Sequence, residues 1–211
     1  MFIPRHPVVE NQFCSYGAQQ VTGSAGVGGV VAYAGSVVGL LSSATNQEPV
    51  VYKMAFGVSI DPFGFLMQKV KTGYHQVHPT GYFMPGDFGS SDVLAQPDYN
   101  TNGTIRGTKA VPVGVAHLGI WDTVHYTSAG GAAAATELTP GQALYPAADS
   151  AKVTNSTVNS DGTDIAGERA RVGGATDPAQ VAIVVKGASA AKASANINNT
   201  TLYPIRMKIL V

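Results

Sequence analysis

The hydrophobic residues of this chain occur in short runs that are separated by turn-forming residues. The runs are rich in β-branched side chains, and none shows the i, i+3, i+4 spacing of an amphipathic helix. This pattern predicts a mainly β fold, a short-stranded β-barrel or sandwich with long loops and an extended N-terminal arm. The predicted strands are Val50–Ile60, Phe65–Lys71, Ala110–Leu118, Trp121–Thr127, Ala143–Tyr145, Val153–Val158, Val181–Lys186 and Leu202–Val211.

Turn and helix patterns complete this picture. The sequence DPFG at Asp61–Gly64 predicts a turn between the first two strands, because proline and glycine suit the central positions of β-turns. Only two stretches are compatible with a helix, Ala132–Leu138 and Ala188–Ala195, and both are equally compatible with flexible loops.

The organisation along the chain predicts two parts. Residues 1–48 read as an extended N-terminal arm followed by an uncharged Gly/Val-rich segment, because Pro4 and Pro7 disfavour a helix. Residues 49–211 read as a β-rich domain. Within that domain, residues 74–107 and 149–176 are rich in Gly, Pro, Asn and Asp, which predicts two long loops.

The segment between Glu10 and Glu48 contains no charged residue, and Val21–Ser43 is long enough to cross a bilayer. Its many glycines weaken a helix, and no basic cluster flanks it to set an orientation. Its valines suit buried strands. We therefore predict that Val21–Leu41 is buried by another subunit rather than by lipid.

Composition narrows the possible functions. Charged residues make up 12% of the chain and the formal net charge is zero, so there is no cationic excess for nucleic acid. A chain with so few charges is weakly protected against self-association, which favours a homo-oligomer. Cys14 is the one cysteine, so an internal disulfide is impossible.

Candidate chemistry is sparse. His75 and His78 are three residues apart in a segment without helical pattern, so they would not converge on a metal ion. Residues 157–168 fit a calcium loop only in part, since Thr157 occupies the first ligand position. No nucleophile elbow or phosphate-binding loop occurs. We therefore predict no enzyme activity, no cofactor and no metal site.

Four short segments of the chain form a recurring style of apolar and turn residues: AFGV at Ala55–Val58, VGVA at Val113–Ala116, LTPGQALY at Leu138–Tyr145 and KVTN at Lys152–Asn155. Together these segments resemble the head decoration, or cement, proteins of tailed bacteriophages. The similarity covers roughly residues 45–187, and three parts of the chain lie outside it: the uncharged N-terminal segment, the 74–107 loop and the basic C-terminus.

The resemblance implies a structural virion protein on the capsid surface, made in the bacterial host cytoplasm. Such a protein stabilises the capsid by clamping adjacent major capsid subunits, so the major capsid protein is the implied partner. Capsid lattices have local three-fold positions, which favours a trimer, and a dimer at two-fold positions is the alternative. Neither nucleic acid nor a membrane is an expected partner.

The N-terminal arm is the predicted capsid-binding element, because it carries more apolar surface than a solvated tail exposes. Deleting residues 2–13 is expected to weaken capsid binding and leave the β-core folded. The basic C-terminal stretch, with Lys186, Lys192, Arg206 and Lys208, is expected to face an acidic patch on the shell. The predicted contact residues of the arm are Phe2, Ile3, Val8, Val9 and Phe13.

Two other functions remain open at this stage. A tail-tube or baseplate subunit is also β-rich and self-associating. A host-surface glycan-binding module would use exposed aromatic rings as stacking platforms. The candidate rings are Trp121, Tyr126, Tyr74, Tyr82 and Tyr99.

Overall fold

The computed structural model describes residues 2–5, 10–16, 30–40, 49–54, 62–72, 92–95, 97–99, 105–108, 111–147, 151–156 and 180–211. These residues form fifteen strands and one short helix, which confirms the predicted mainly β fold. The elements are β1 (Phe2–Pro4), β2 (Glu10–Tyr16), β3 (Val30–Ala32), β4 (Val37–Leu40), β5 (Val50–Lys53), β6 (Pro62–Leu66), β7 (Lys69–Thr72), β8 (Asp92–Ala95), β9 (Pro97–Tyr99), β10 (Ile105–Thr108), β11 (Val111–Thr123), β12 (Ala143–Pro146), β13 (Val153–Thr154), β14 (Ala182–Lys186), α1 (Ala190–Ile197) and β15 (Ile205–Ile209).

The thirteen-residue strand β11 organises the molecule. Its first half pairs with β2 and β6, and its second half pairs with β1 and β15. The sequence predicts two strands here, Ala110–Leu118 and Trp121–Thr127. The structure joins them because Gly119 adopts a φ of 114°, which glycine tolerates, at the point where the pairing partners change. One strand therefore belongs to two halves of the fold.

The first half is a closed ring of five strands. β11 pairs with β2, β2 with β5, β5 with β4, β4 with β6, and β6 again with β11. Alternate side chains of these strands point into the ring, as the two-residue period of a strand requires. The buried cluster that these strands share consists of Cys14, Tyr16, Val38, Val51, Leu66, Val113 and Val115, with Ala32 and Val70 from β3 and β7.

The predicted turn at Asp61–Gly64 is wrong over its described residues, since Pro62–Leu66 forms strand β6. Gly64 allows this strand to approach β11 closely. A Cβ atom at Gly64 would lie 2.5 Å from Val115 Cγ1 and 2.8 Å from the Ala116 carbonyl oxygen. The glycine therefore serves close packing rather than a turn.

The second half is a curled antiparallel sheet in the order β13-β12-β14-β15-β11. A single bridge from Tyr126 to Val153 turns the far end of this sheet back towards the segment that follows β11. Its concave side holds the larger hydrophobic core, which includes Trp121, Leu144 and Met207. The sheet therefore forms a half-barrel around this core.

Helix α1 lies on the core side of the half-barrel. It overlaps the second helix-compatible stretch and extends two residues beyond it, and its Ala193 and Asn196 are buried. The Asn196 amide donates a hydrogen bond to the Val124 carbonyl oxygen at 2.9 Å and accepts one from the Tyr203 N–H at 3.2 Å. The other stretch, Ala132–Leu138, begins with turns after two glycines of positive φ and contains no helix.

The described strands of residues 1–48 are hydrogen-bonded into the sheet of residues 49–211. β1 and β2 pair with β11, and β4 pairs with β5 and β6. Within the uncharged segment, Ala32, Val37 and Val38 are buried by the chain's own strands. The sequence predicts burial of this segment by another subunit, but these three residues are buried without one, whereas Tyr33 and Leu40 are exposed.

The two predicted loops are described only in part. Within residues 74–107, β8 pairs in parallel with β7, and β9 pairs with β10. Within residues 149–176, β13 pairs with β12 at one end of the half-barrel. Residues 74–91, 96, 100–104, 149–150 and 157–176 of these loops lie outside the described part of the chain.

Candidate functional site

The predicted contact residues of the N-terminal arm have different environments. The Phe2 ring stacks on Trp121 with ring centroids 4.4 Å apart, so it packs against the protein's own core. Ile3, on the other face of β1, is 36% exposed. The Phe13 backbone pairs with Gly114, and its side chain lies outside the described structure, as do Val8 and Val9.

These contacts change the expected effect of deleting residues 2–13, which the sequence predicts to leave the β-core folded. Residues 10–16 form β2, one of the five strands of the closed ring, and residues 2–4 form β1 on the edge of β11. Removing residues 2–13 would take away most of a ring strand and the Phe2 packing. The deletion would therefore disturb the fold as well as any partner contact.

A carboxylate links the two chain ends to the central strand. Asp122 on β11 accepts a 2.6 Å hydrogen bond from Arg5 Nε and a 2.8 Å hydrogen bond from Arg206 Nε. Its side chain is buried, whereas both arginine side chains are more than one third exposed. Hydrogen bonding from Arg206, aided by Arg5, holds the pKa of Asp122 below its usual value against the opposing effect of burial.

This ion-pair cluster lies on the side of the half-barrel sheet that faces away from the core. We call this side the outer face and define it by the residues of β1, β11, β14 and β15, with the residue after β15, that point away from the core. The strand registers place Lys186, Arg206, Asp122 and Ile3 in one row across the sheet and Ile183, Lys208 and Ile120 in the next. The outer face consists of Ile3, Leu118, Ile120, Asp122, Ile183, Lys186, Arg206, Lys208 and Leu210.

The outer face is both apolar and cationic. Leu118 and Leu210 are 39% and 44% exposed, at the end where Gly119 pairs with Ile209. Lys186 and Lys208 are exposed, and neither forms an ion pair with a carboxylate in the described part of the chain. Exposed aliphatic side chains that lie together on one face are typical of a surface that contacts another protein.

The structure divides the basic C-terminal residues between two surfaces. Lys186, Arg206 and Lys208 lie on the outer face, where Arg206 is already bound to Asp122. Lys192 lies on α1, on the opposite side of the sheet, with its Nζ 5.7 Å from the centre of the Tyr203 ring.

A serine–histidine pair lies where the turn at residues 33–36 meets the end of β11. Ser36 Oγ is 3.1 Å from His125 Nε2 and accepts the Tyr33 backbone N–H at 3.2 Å. A hydroxyl group within hydrogen-bonding distance of an imidazole is the arrangement that activates a serine nucleophile in enzymes. However, Ser36 is only 1% exposed, so its hydroxyl cannot contact a substrate in this conformation. The pair ties the turn to β11.

The described residues contain no group of three or more His, Cys, Asp or Glu side chains placed to hold a metal ion. His117 Nδ1 is 2.8 Å from the Phe63 carbonyl oxygen, and its ring contacts the Phe63 ring edge-on. His75 and His78 and the partial calcium loop at residues 157–168 lie outside the described residues.

Two of the proposed aromatic platforms are buried. Trp121 is 1% exposed, and Tyr126 is fully buried with its hydroxyl donating to the Tyr203 carbonyl oxygen. Burial raises the pKa of Tyr126 to about 12. Neither ring can stack on a glycan, so this part of the glycan-binding hypothesis is wrong. Tyr74 and Tyr82 lie outside the described residues, and the Tyr99 side chain is not described.

Two of the segments that carry the family resemblance build one end of the half-barrel. Gly141 adopts a positive φ of 89° in the turn before β12, and the Asn155 amide donates to Gln142 Oε1 and to the Glu137 carbonyl oxygen. Tyr145 and Thr154 are paired across β12 and β13. The residues of LTPGQALY and KVTN are thus in contact, while AFGV lies outside the described residues.

Comparisons with known proteins assign no family: no protein-family model, no curated protein and no solved structure matches this chain. Within the described residues, no helix combines the length and the apolar character needed to cross a bilayer.

Proposed function

We propose that this protein is a structural virion protein that decorates a capsid and stabilises it by clamping adjacent major capsid subunits. The observation that carries the proposal is the outer face, an exposed apolar and cationic side of a sheet that is tied together by the Asp122 ion pairs. The resemblance of the LTPGQALY and KVTN segments to head decoration proteins gives the class of partner.

The physical demands of such a function agree with this architecture. A clamp gains affinity from contact area and from a surface that loses little conformational entropy on binding. The outer face is formed by strands that pair on both sides of β15 and β11, so the backbone that carries its side chains is held in a fixed arrangement. By contrast, the polar pair of Ser36 and His125 is enclosed in the protein and offers no reactive surface.

The closed ring also limits how the protein can associate. A strand that pairs on both sides has no free backbone groups for strand addition. β5, β4 and β15 each have partners on both sides, so binding through these strands must use side chains rather than added strands. The proposal therefore assigns capsid binding to a face and to loops.

The test is to add the purified full-length chain to empty capsids, lacking the protein, of the virus that encodes it. Bound protein should co-sediment with the capsids at a fixed stoichiometry and raise the temperature at which they disrupt. Capsids that neither bind the protein nor gain thermal stability would contradict the proposal. Assembly of the chain into tubes would favour a tail subunit instead.

A further inference from the structure

The charges of the outer face are not balanced within the described part of the chain. Four cationic residues lie on or beside it: Arg5, Lys186, Arg206 and Lys208. Asp122 is the one carboxylate within the face, and Glu10 pairs with Leu118 at its margin. The face therefore carries two positive charges in excess, although the whole chain is neutral.

We propose that the outer face is the surface that binds the capsid, and that its partner is an acidic, partly apolar surface of the shell subunit. This inference rests on the proposed function and names the contact that the function requires. Lys186 and Lys208 would meet carboxylates of the partner, while Leu118, Leu210 and Ile183 would be buried against its aliphatic side chains.

The Asp122 cluster holds arginine N–H donors on this surface that an acidic partner can bind. A guanidinium has five N–H donors, and Asp122 takes only the Nε–H of Arg5 and the Nε–H and one Nη2–H of Arg206. Both arginine side chains stay partly exposed. Their remaining donors can bind a partner carboxylate without breaking the internal ion pairs, so little order is lost or gained on binding.

A second copy of the chain fits this face less well. In a two-fold contact the same patch meets itself, which would bring the cationic rows of both copies together. Like charges across an interface oppose association. A phosphate backbone would satisfy the lysines but would not bury the aliphatic residues, since Ile183 and Ile120 flank Lys208 in the same row. An acidic protein surface satisfies both.

The experiment measures binding of charge and apolar variants to the same empty capsids. Lys186→Glu/Lys208→Glu should weaken binding at least tenfold and reverse its salt dependence, because the face would then carry a net negative charge. Lys186→Gln/Lys208→Gln should weaken it less, and Leu210→Gln about fivefold. The matched controls are Lys192→Glu and Leu202→Gln, which change exposed residues away from this face and should bind like the wild type. Urea unfolding of each variant verifies that it is folded.

The outcomes separate the two proposals. If wild type binds capsids and the outer-face variants bind equally well, the inference is wrong while the proposed function stands. If wild type does not bind capsids at all, both are wrong. If the double reversal changes self-association in sedimentation, or binding to a DNA duplex or to anionic lipid vesicles, but leaves capsid binding intact, the face serves another partner and the inference is overturned.

Discussion

At the residue scale, Asp122 shows how one buried carboxylate joins distant parts of the chain. Arg5 and Arg206 lie 117 and 84 residues away from it in sequence, and both reach it on the outer face. A hydrogen bond to a charged group stabilises a fold by about 1.5–3 kcal/mol. Both arginines are partly exposed to water, so solvent screening keeps the net value towards the low end of this range.

Asp122→Asn should therefore lower the free energy of unfolding by about 1–2 kcal/mol at pH 7. The carboxylate has a pKa below the ordinary value of 3.8 in the folded state, so its stabilisation is complete above pH about 4. It disappears as pH falls through the folded pKa, where wild type and variant should converge. Urea unfolding at pH 7 and in acid measures this, with Glu137→Gln, an exposed acid, as the control. Equal stability at pH 7 would contradict the role of Asp122.

A substitution at Gly64 tests whether β6 and β11 close the five-stranded ring. A methyl group there would meet Val115 and the backbone of Ala116, neither of which can move without shifting β11. Gly64→Ala should cost about 1–3 kcal/mol of stability. The control is Gly114→Ala on β11, where the nearest atom is the flexible Met67 sulfur at 3.0 Å. Similar losses for both variants in urea unfolding would contradict the close approach of β6 and β11.

At the element scale, β1 has two faces with different roles. Phe2 packs on Trp121 and Phe65 beneath the sheet, whereas Ile3 lies on the outer face. Phe2→Ala should lower the free energy of unfolding by about 2 kcal/mol, since the ring is half-buried, and Ile3→Ala by less than about 1 kcal/mol. Trp121 is the one tryptophan, so its fluorescence reports the loss of the Phe2 ring directly. A fluorescence change in the Ile3 variant alone would contradict this assignment.

The strand β2 places Cys14 inside the five-stranded ring, where it is 4% exposed. Burial raises the pKa of its thiol and slows attack on disulfide reagents. We expect no reaction with a thiol reagent under native conditions beyond the rate of unfolding, and rapid reaction of one thiol per chain in urea. Fast labelling of the native protein would show that the ring is open.

At the scale of the whole molecule, local sequence patterns predicted the strands better than their arrangement. The alternating valines of β11 and the aliphatic run of β14 indicate strands because their period matches the pleat. The closure of the ring depends on pairs such as Val113 with Cys14, about one hundred residues apart, which no local pattern reveals. The turn predicted at Asp61–Gly64 is wrong for the same reason, because Gly64 belongs to β6 and allows its close approach to β11, a strand distant in sequence.

The sequence predicts the positive charge of the C-terminal stretch but not the outer face to which most of it belongs. The lysines and arginine of the C-terminal stretch indicated an acidic partner, and the structure separates Lys192 from the others by placing it on α1. The pairing of β15 with both β14 and β11 brings the remaining cations beside Leu118 and Ile120. The sequence could not show this juxtaposition, because it depends on the sheet order.

The most direct test of the proposed function is a cryo-EM reconstruction of virus particles that contain this protein. We predict density for the five-stranded ring and the half-barrel on the capsid surface, between adjacent major capsid subunits, at a fixed position of the lattice. Density for the same fold in the tail, or a capsid surface without it, would contradict the proposal that the protein is a capsid clamp.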